Sequence, residues 1–161
     1  MRAHRSYALA WSVLLASTAS ALAGGSTTSH SMIPHALTAA DRTAIQHYTL
    51  SEDAFQKLLA TAKDAKANQV PIDIVDPHAH SLDETAAHLE HSADFRALIA
   101  RHGLTTRNFL LGEYALLSAE FAVKYAGQPN FDASLANPAN VALYRRHEAE
   151  LDALSGDDVN N

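Results

Sequence analysis

Cysteine is missing from all 161 residues. Its absence excludes a disulfide framework, a thiolate nucleophile, a thiolate metal site, and a lipid-anchored leader cut at a cysteine. Tryptophan occurs once, at Trp11. Positive charge is also scarce: 12 Lys and Arg stand against 18 Asp and Glu. Such a balance repels phosphate backbones and anionic membrane surfaces, so nucleic acid is not expected as a partner. Several local signatures are missing as well, among them a Gly-rich phosphate loop, a G-x-S-x-G elbow and an EF-hand loop.

What the chain does have at its start is the layout of a secretory leader. Arg2, His4 and Arg5 form a basic end, Tyr7 to Leu15 an apolar run, and Ala21-Leu22-Ala23 a small-x-small cleavage pattern before Gly24-Gly25. The apolar run is short for a bilayer span, and no later run approaches the ~20 residues a span needs. The expectation is a signal peptide over residues 1–23 and a product that is periplasmic or secreted. Removing 23 of 161 residues leaves 138, enough for one domain with its own core. Arg2 and Arg5 leave with the leader, so 10 basic residues remain against 18 acidic ones, a net of −8. Residues 24–48 read as a flexible N-terminal segment, rich in Gly, Ser and Thr at first. Thr38 and Asp41 there could cap a short helix, yet Ile45, Tyr48 and Leu50 make no clean stripe.

Helical periodicity begins at Ser51. Phe55, Leu58, Leu59 and Ala62 recur at i, i+3, i+4 and i+7, one face of a helix. Residues 68–80 carry two prolines and read as a connector, with Ile72 to Val75 extended but lacking a partner strand. Ser81 and Glu84 form a capping box that opens a short helix to about Glu90. Ser92 caps another, carrying Phe95, Leu98, Ile99 and His102 and stopped by Gly103. Thr105 starts the longest helix, which reaches Ala126 and closes at Gly127. It is apolar on nearly every side, with Glu113, Glu120 and Lys124 as a narrow polar edge, the pattern of a central helix. Asn137-Pro138 reads as N-cap and N1 of a last helix, whose buried face is Val141, Tyr144, Leu151 and Leu154. The expected fold is all-α, a compact bundle of about five helices over residues 49–155. Residues 156–161 are expected to form a disordered polar tail.

Two stretches carry a resemblance. One is Asn137-Pro138-Ala139-Asn140-Val141 followed by Tyr144, His147, Glu150 and Leu154. The other is Ser81-Leu82-Asp83-Glu84 leading to Gly103-Leu104-Thr105 and a long alanine-rich helix. From Leu50 to Leu154 the pattern resembles a family of small exported all-helical proteobacterial proteins without assigned activity. The resemblance implies an exported helical domain and lends no catalytic residues.

Histidine is over-represented. Of 10 in the chain, His4 leaves with the leader, and four of the rest, His78, His80, His88 and His91, crowd one short stretch. His88 and His91 are three apart on an expected helix, so both rings can lie on one face. Imidazole suits zinc and copper, and an exported protein meets both. These four are the candidate metal ligands; the alternative is a solvated segment whose histidines merely titrate near neutral pH. Asp76-Pro77-His78-Ala79-His80 after an extended run is like the first metal strand of amidohydrolases. Those enzymes need a barrel of roughly 250 residues, and too little chain follows. His147-Glu148 opens like a zinc-protease H-E-x-x-H, but Leu151 occupies the fifth position. A half-buried His147 bonded to a neighbouring helix is the expectation, and His102 at a helix C-terminus suits the dipole there. Glu113 and Glu120, seven apart, could pair for acid–base or di-metal work, but the Glu-x-x-His that di-iron sites require is missing. Glu120 with Lys124 reads as a solvated ion pair.

The sequence therefore points to binding rather than catalysis. The expected role is an interaction module in the cell envelope, holding another envelope protein or a small ligand, and the alanine-rich helices could equally form a homodimer. The alternative is a periplasmic metal-binding protein that uses the four clustered histidines.

Overall fold

Five hydroxyl side chains punctuate the chain. Thr38, Ser51, Ser81, Ser92 and Thr105 each accept a hydrogen bond from the backbone N–H three residues on, at the start of a helix. A sixth cap is Asn137, whose Oδ1 accepts from the Ala139 N–H at 2.9 Å, with Pro138 in the first helical position. The computed structural model describes residues 37–74, 78–128 and 136–156. The helices are α1 (Ala39–His47), α2 (Glu52–Asn68), α3 (Leu82–Leu89), α4 (Ala93–Arg101), α5 (Thr106–Lys124) and α6 (Pro138–Gly156). No strand occurs among the described residues. Residues 1–23, read as a leader, the first part of the N-terminal segment and the tail beyond residue 156 lie outside them.

The all-helical expectation holds, with one helix more than the stripes suggest. Residues 39–47, within the segment read as flexible, form α1. Thr38 accepts from the Asp41 N–H at 3.0 Å, and its own hydroxyl donates to Asp41 Oδ2 at 2.7 Å. Asp41 is itself buried, and the same oxygen accepts the Leu82 N–H at 3.3 Å, which fastens α1 to the start of α3. Only Ile45 of this helix is a buried apolar residue, so no stripe was available to reveal it.

Stops are as definite as starts. Gly103, at φ +67°, closes α4, with the Leu104 N–H returning to the Ile99 carbonyl at 3.0 Å. At the end of α2, Gln69 takes the left-handed conformation at φ 54°, and the Val70 N–H reaches the Ala65 carbonyl at 2.9 Å.

Helix α5 is the hub, and each of the other five helices packs against it. Phe109, Leu110, Tyr114, Ala115, Leu116, Ala119 and Phe121 are all buried. Gly112 packs against α2: a methyl there would meet Leu58 Cδ1 at 2.5 Å. The polar edge expected on this helix is not solvated. Glu113 and Glu120 are both buried.

The connector before α3 is held by the hub too. Ile72 and Ile74 are buried while Asp73 between them is exposed, and the Tyr114 hydroxyl donates to the Ile74 carbonyl at 2.8 Å. Alternating burial here reflects a lone extended segment lying on α5 rather than a sheet. Val75, Asp76 and Pro77 lie outside the described residues.

Candidate functional site: the α2–α6 seam

Asn140, fully buried at the first turn of α6, uses both ends of its amide on one backbone segment. Its Oδ1 accepts from the Leu50 N–H at 2.8 Å, and its Nδ2 donates to the Tyr48 carbonyl at 2.7 Å. Asn137 adds donation to Thr49 Oγ1 at 3.2 Å. Asn137-Pro138-Ala139-Asn140 thus caps α6 and clamps the α1–α2 joint. The clamp sets the N-terminal ends of α2 and α6 side by side. From there contacts advance in the same direction along both helices: Glu52 and Phe55 with His147, Lys63 with Glu150, Lys66 with Leu154. The two helices run parallel, and side chains rather than close backbone approach bridge them.

His147 is the centre of the seam. Its ring lies on Phe55, centroids 4.3 Å apart, and its side chain is 19% exposed. Nε2 is 2.8 Å from Glu52 Oε1, and Nδ1 is 3.5 Å from Glu150 Oε2. Glu150 in turn takes the Lys63 ammonium at 3.0 Å, and Arg146 approaches Glu52 at 3.4 Å. Both carboxyls are held below the usual range. For Glu52 the main cause is the Gln56 amide, joined by His147 and Arg146; for Glu150 it is Lys63, joined by His147. With a carboxylate facing each ring nitrogen, His147 is poorly placed to take a proton from a substrate. Its geometry suits cross-bracing of two helices.

Beside this ladder, toward the C-terminal ends of both helices, opens a cleft of about 380 Å³. Lys63, Lys66, Ala67, Glu150, Ala153 and Leu154 line it. The Lys66 ammonium donates to the Leu154 carbonyl at 3.0 Å, satisfying an acceptor in the last turn of α6.

The four clustered histidines stand elsewhere. His78, His80, His88 and His91 are all exposed. The backbone N–H of His80 donates to Glu84 Oε2 at 2.6 Å. His88 and His91 do not share a helix as expected: α3 ends at Leu89, and His91 lies in the turn beyond it with Nδ1 2.6 Å from the Ala87 carbonyl. Among the described residues no group of three or more His, Asp or Glu is arranged to hold a metal ion.

Other ionisable groups serve the packing. His102 caps α4, with Nε2 3.0 Å from Asp64 Oδ2, where Arg101 also binds at 2.6 Å; His102 first and Arg101 second hold the Asp64 carboxyl down. Glu120 pairs with Lys124 at 2.6 Å, but the carboxylate side is only 11% exposed, so the pair is half-buried rather than solvated. The bond to Glu120 raises the Lys124 ammonium. Burial, reinforced by the Glu120 charge, pushes the Tyr144 phenol up to about 12. Burial pushes Glu113 from 4.5 up to about 8.

Sequence reading placed His147 on a half-buried face but missed its partners and the cleft. Phe55 to Lys66 and His147 to Leu154 meet only through the fold, and no local spacing announces that. Comparison with family models, curated proteins and solved structures finds no match for the chain. Among the described residues no helix is long and apolar enough to cross a membrane.

Proposed function

We propose that the chain is an exported helical binding module of the cell envelope, periplasmic or secreted, that receives an envelope protein or a small ligand at the α2–α6 cleft. The observation that carries this reading is the cleft itself. Two parallel helices are held apart by a bridge of ionic and aromatic side chains, and a concave surface with apolar and cationic walls opens between them. Its volume of about 380 Å³ falls within the ~300–1,000 Å³ typical of small-molecule sites. The leader-like N-terminus and the resemblance carried by Asn137-Pro138-Ala139-Asn140-Val141 support export. The double engagement of His147 supports binding over acid–base chemistry.

Because the chain has no cysteine, one can be placed at will. Ala153→Cys puts a single thiol in the cleft, and Ala97→Cys puts one on the exposed face of α4. Each is coupled to a photo-crosslinker and irradiated with envelope extract. Specific adducts at position 153 with none at 97 are expected, from protein recovered in the osmotic-shock fraction or the medium. Equal labelling at both positions, or protein confined to the cytosol, would overturn the reading.

A further inference from the structure

We propose that the α2–α6 cleft binds a short alkyl monocarboxylate, whose headgroup displaces Glu150 from the Lys63 ammonium while its chain lies on Ala67, Ala153 and Leu154. The inference rests on the cleft being the binding surface and goes on to name what fills it.

The cleft already holds a carboxylate, the chain's own. Glu150 Oε1 sits 3.0 Å from Lys63 Nζ. Lys63 and Lys66 are three apart on α2, so both ammoniums point from one face into the same space, each carrying three N–H donors. Two cations and one anion line the cleft, in a chain whose formal net charge is −6. Its remaining lining is aliphatic, which suits a hydrocarbon tail and offers nothing to a second polar group. The apolar lining is confined to three residues, which one short hydrocarbon chain covers.

Glu150 also has somewhere to go. Its other oxygen stands 3.5 Å from His147 Nδ1, too long for a good hydrogen bond. Released from Lys63, the carboxylate closes this gap. His147 then faces two close acceptors, Glu52 from α2 on Nε2 and Glu150 from α6 on Nδ1, with Arg146 alongside Glu52 and Phe55 against the ring face.

Isothermal titration of the full chain with octanoate tests this. Glu150→Gln removes the internal competitor, so it binds about threefold more tightly than wild type, in line with the modest strength of an exposed ion pair. Lys63→Met, at a side chain 53% exposed, weakens binding at least tenfold in this account. Affinity that ignores Lys63→Met, equal binding of octylamine, or preference for a peptide C-terminus would each overturn the ligand class. So would the absence of octanoate binding in both wild type and Glu150→Gln; crosslinking at position 153 would then still read the binding surface independently. Binding unchanged by Glu150→Gln would overturn the displacement.

Discussion

Glu113 sits at the middle of the central helix with 7% of its surface exposed, and replacing it by glutamine should stabilise the protein at neutral and alkaline pH. Burial raises its carboxyl from 4.5 to about 8, because the folded interior disfavours the charged form. The sign follows from proton counting. Between these two values the folded state holds a proton that the unfolded state has lost. Stability is therefore complete below about pH 4.5, falls as pH rises, and levels off above about pH 8. At up to about 1.4 kcal/mol per pH unit across that window, the loss between pH 5 and pH 8 is about 3–4 kcal/mol. That is a large fraction of the ~5–15 kcal/mol by which domains of this size are stable. Glutamine keeps the size and the neutral polarity of the protonated acid and cannot ionise. Urea unfolding at pH 5, 6, 7 and 8, followed by circular dichroism, gives the difference between variant and wild type. The two should be close at pH 5 and diverge by about 3–4 kcal/mol at pH 8. Glu52, Asp64 and Glu150, all held down, lose their contribution only in acid below this window and are common to both proteins. Parallel pH profiles would refute the reasoning, since they would mean that Glu113 ionises in the folded state as readily as in the unfolded one.

Two further outcomes test the clamp and the histidine cluster. Asn140→Ala strands the buried Leu50 N–H and leaves the Tyr48 carbonyl only the longer bond from Asn137 at 3.4 Å, and should cost about 2 kcal/mol in urea unfolding; a loss under about 1 kcal/mol would show that water replaces the amide. Excess zinc or copper should leave the melting temperature of wild type where it stands in the His88→Ala/His91→Ala variant, and a metal-induced rise lost in that variant would show that the four exposed rings converge on an ion.

Helix boundaries were legible because they are local. Ser51, Ser81, Ser92 and Thr105 bond to N–H groups three residues away, and Gly103 closes its helix through its own φ. Sequence spacing states such facts directly. The central position of α5 was legible for a related reason: a helix apolar on nearly all sides has to be covered on nearly all sides. Helix α1 was not, because a helix held by a buried Asp41 and one isoleucine shows no apolar period. Reading Glu113 and Glu120 as a polar edge failed because a charged residue type was taken for an exposed one. Protonation in one case and a lysine partner in the other make burial tolerable. The histidine cluster drew attention through density in sequence, whereas the seam is dispersed along the chain and gathers only in space.

The link between the local signature and the seam is the Asn-Pro-Ala-Asn stretch. Read alone it is a helix start, and Asn137 fulfils that. Asn140 sits one turn in, where its side chain no longer reaches the free N–H groups of its own helix, and so it takes the backbone of residues 48–50 instead. Fixing α6 at that point fixes its register along α2. His147 falls two turns on and meets Glu52 and Phe55; Glu150 follows and meets Lys63; Leu154 follows again and meets Lys66. The cleft is thus a consequence of where one buried amide is anchored. Loosening that anchor should change the spacing of Lys63 and Glu150 even though neither residue touches Asn140. For this reason, a stability loss in Asn140→Ala accompanied by altered octanoate affinity would tie the clamp to the site, whereas the same loss with affinity unchanged would show that the lower seam holds its register without it.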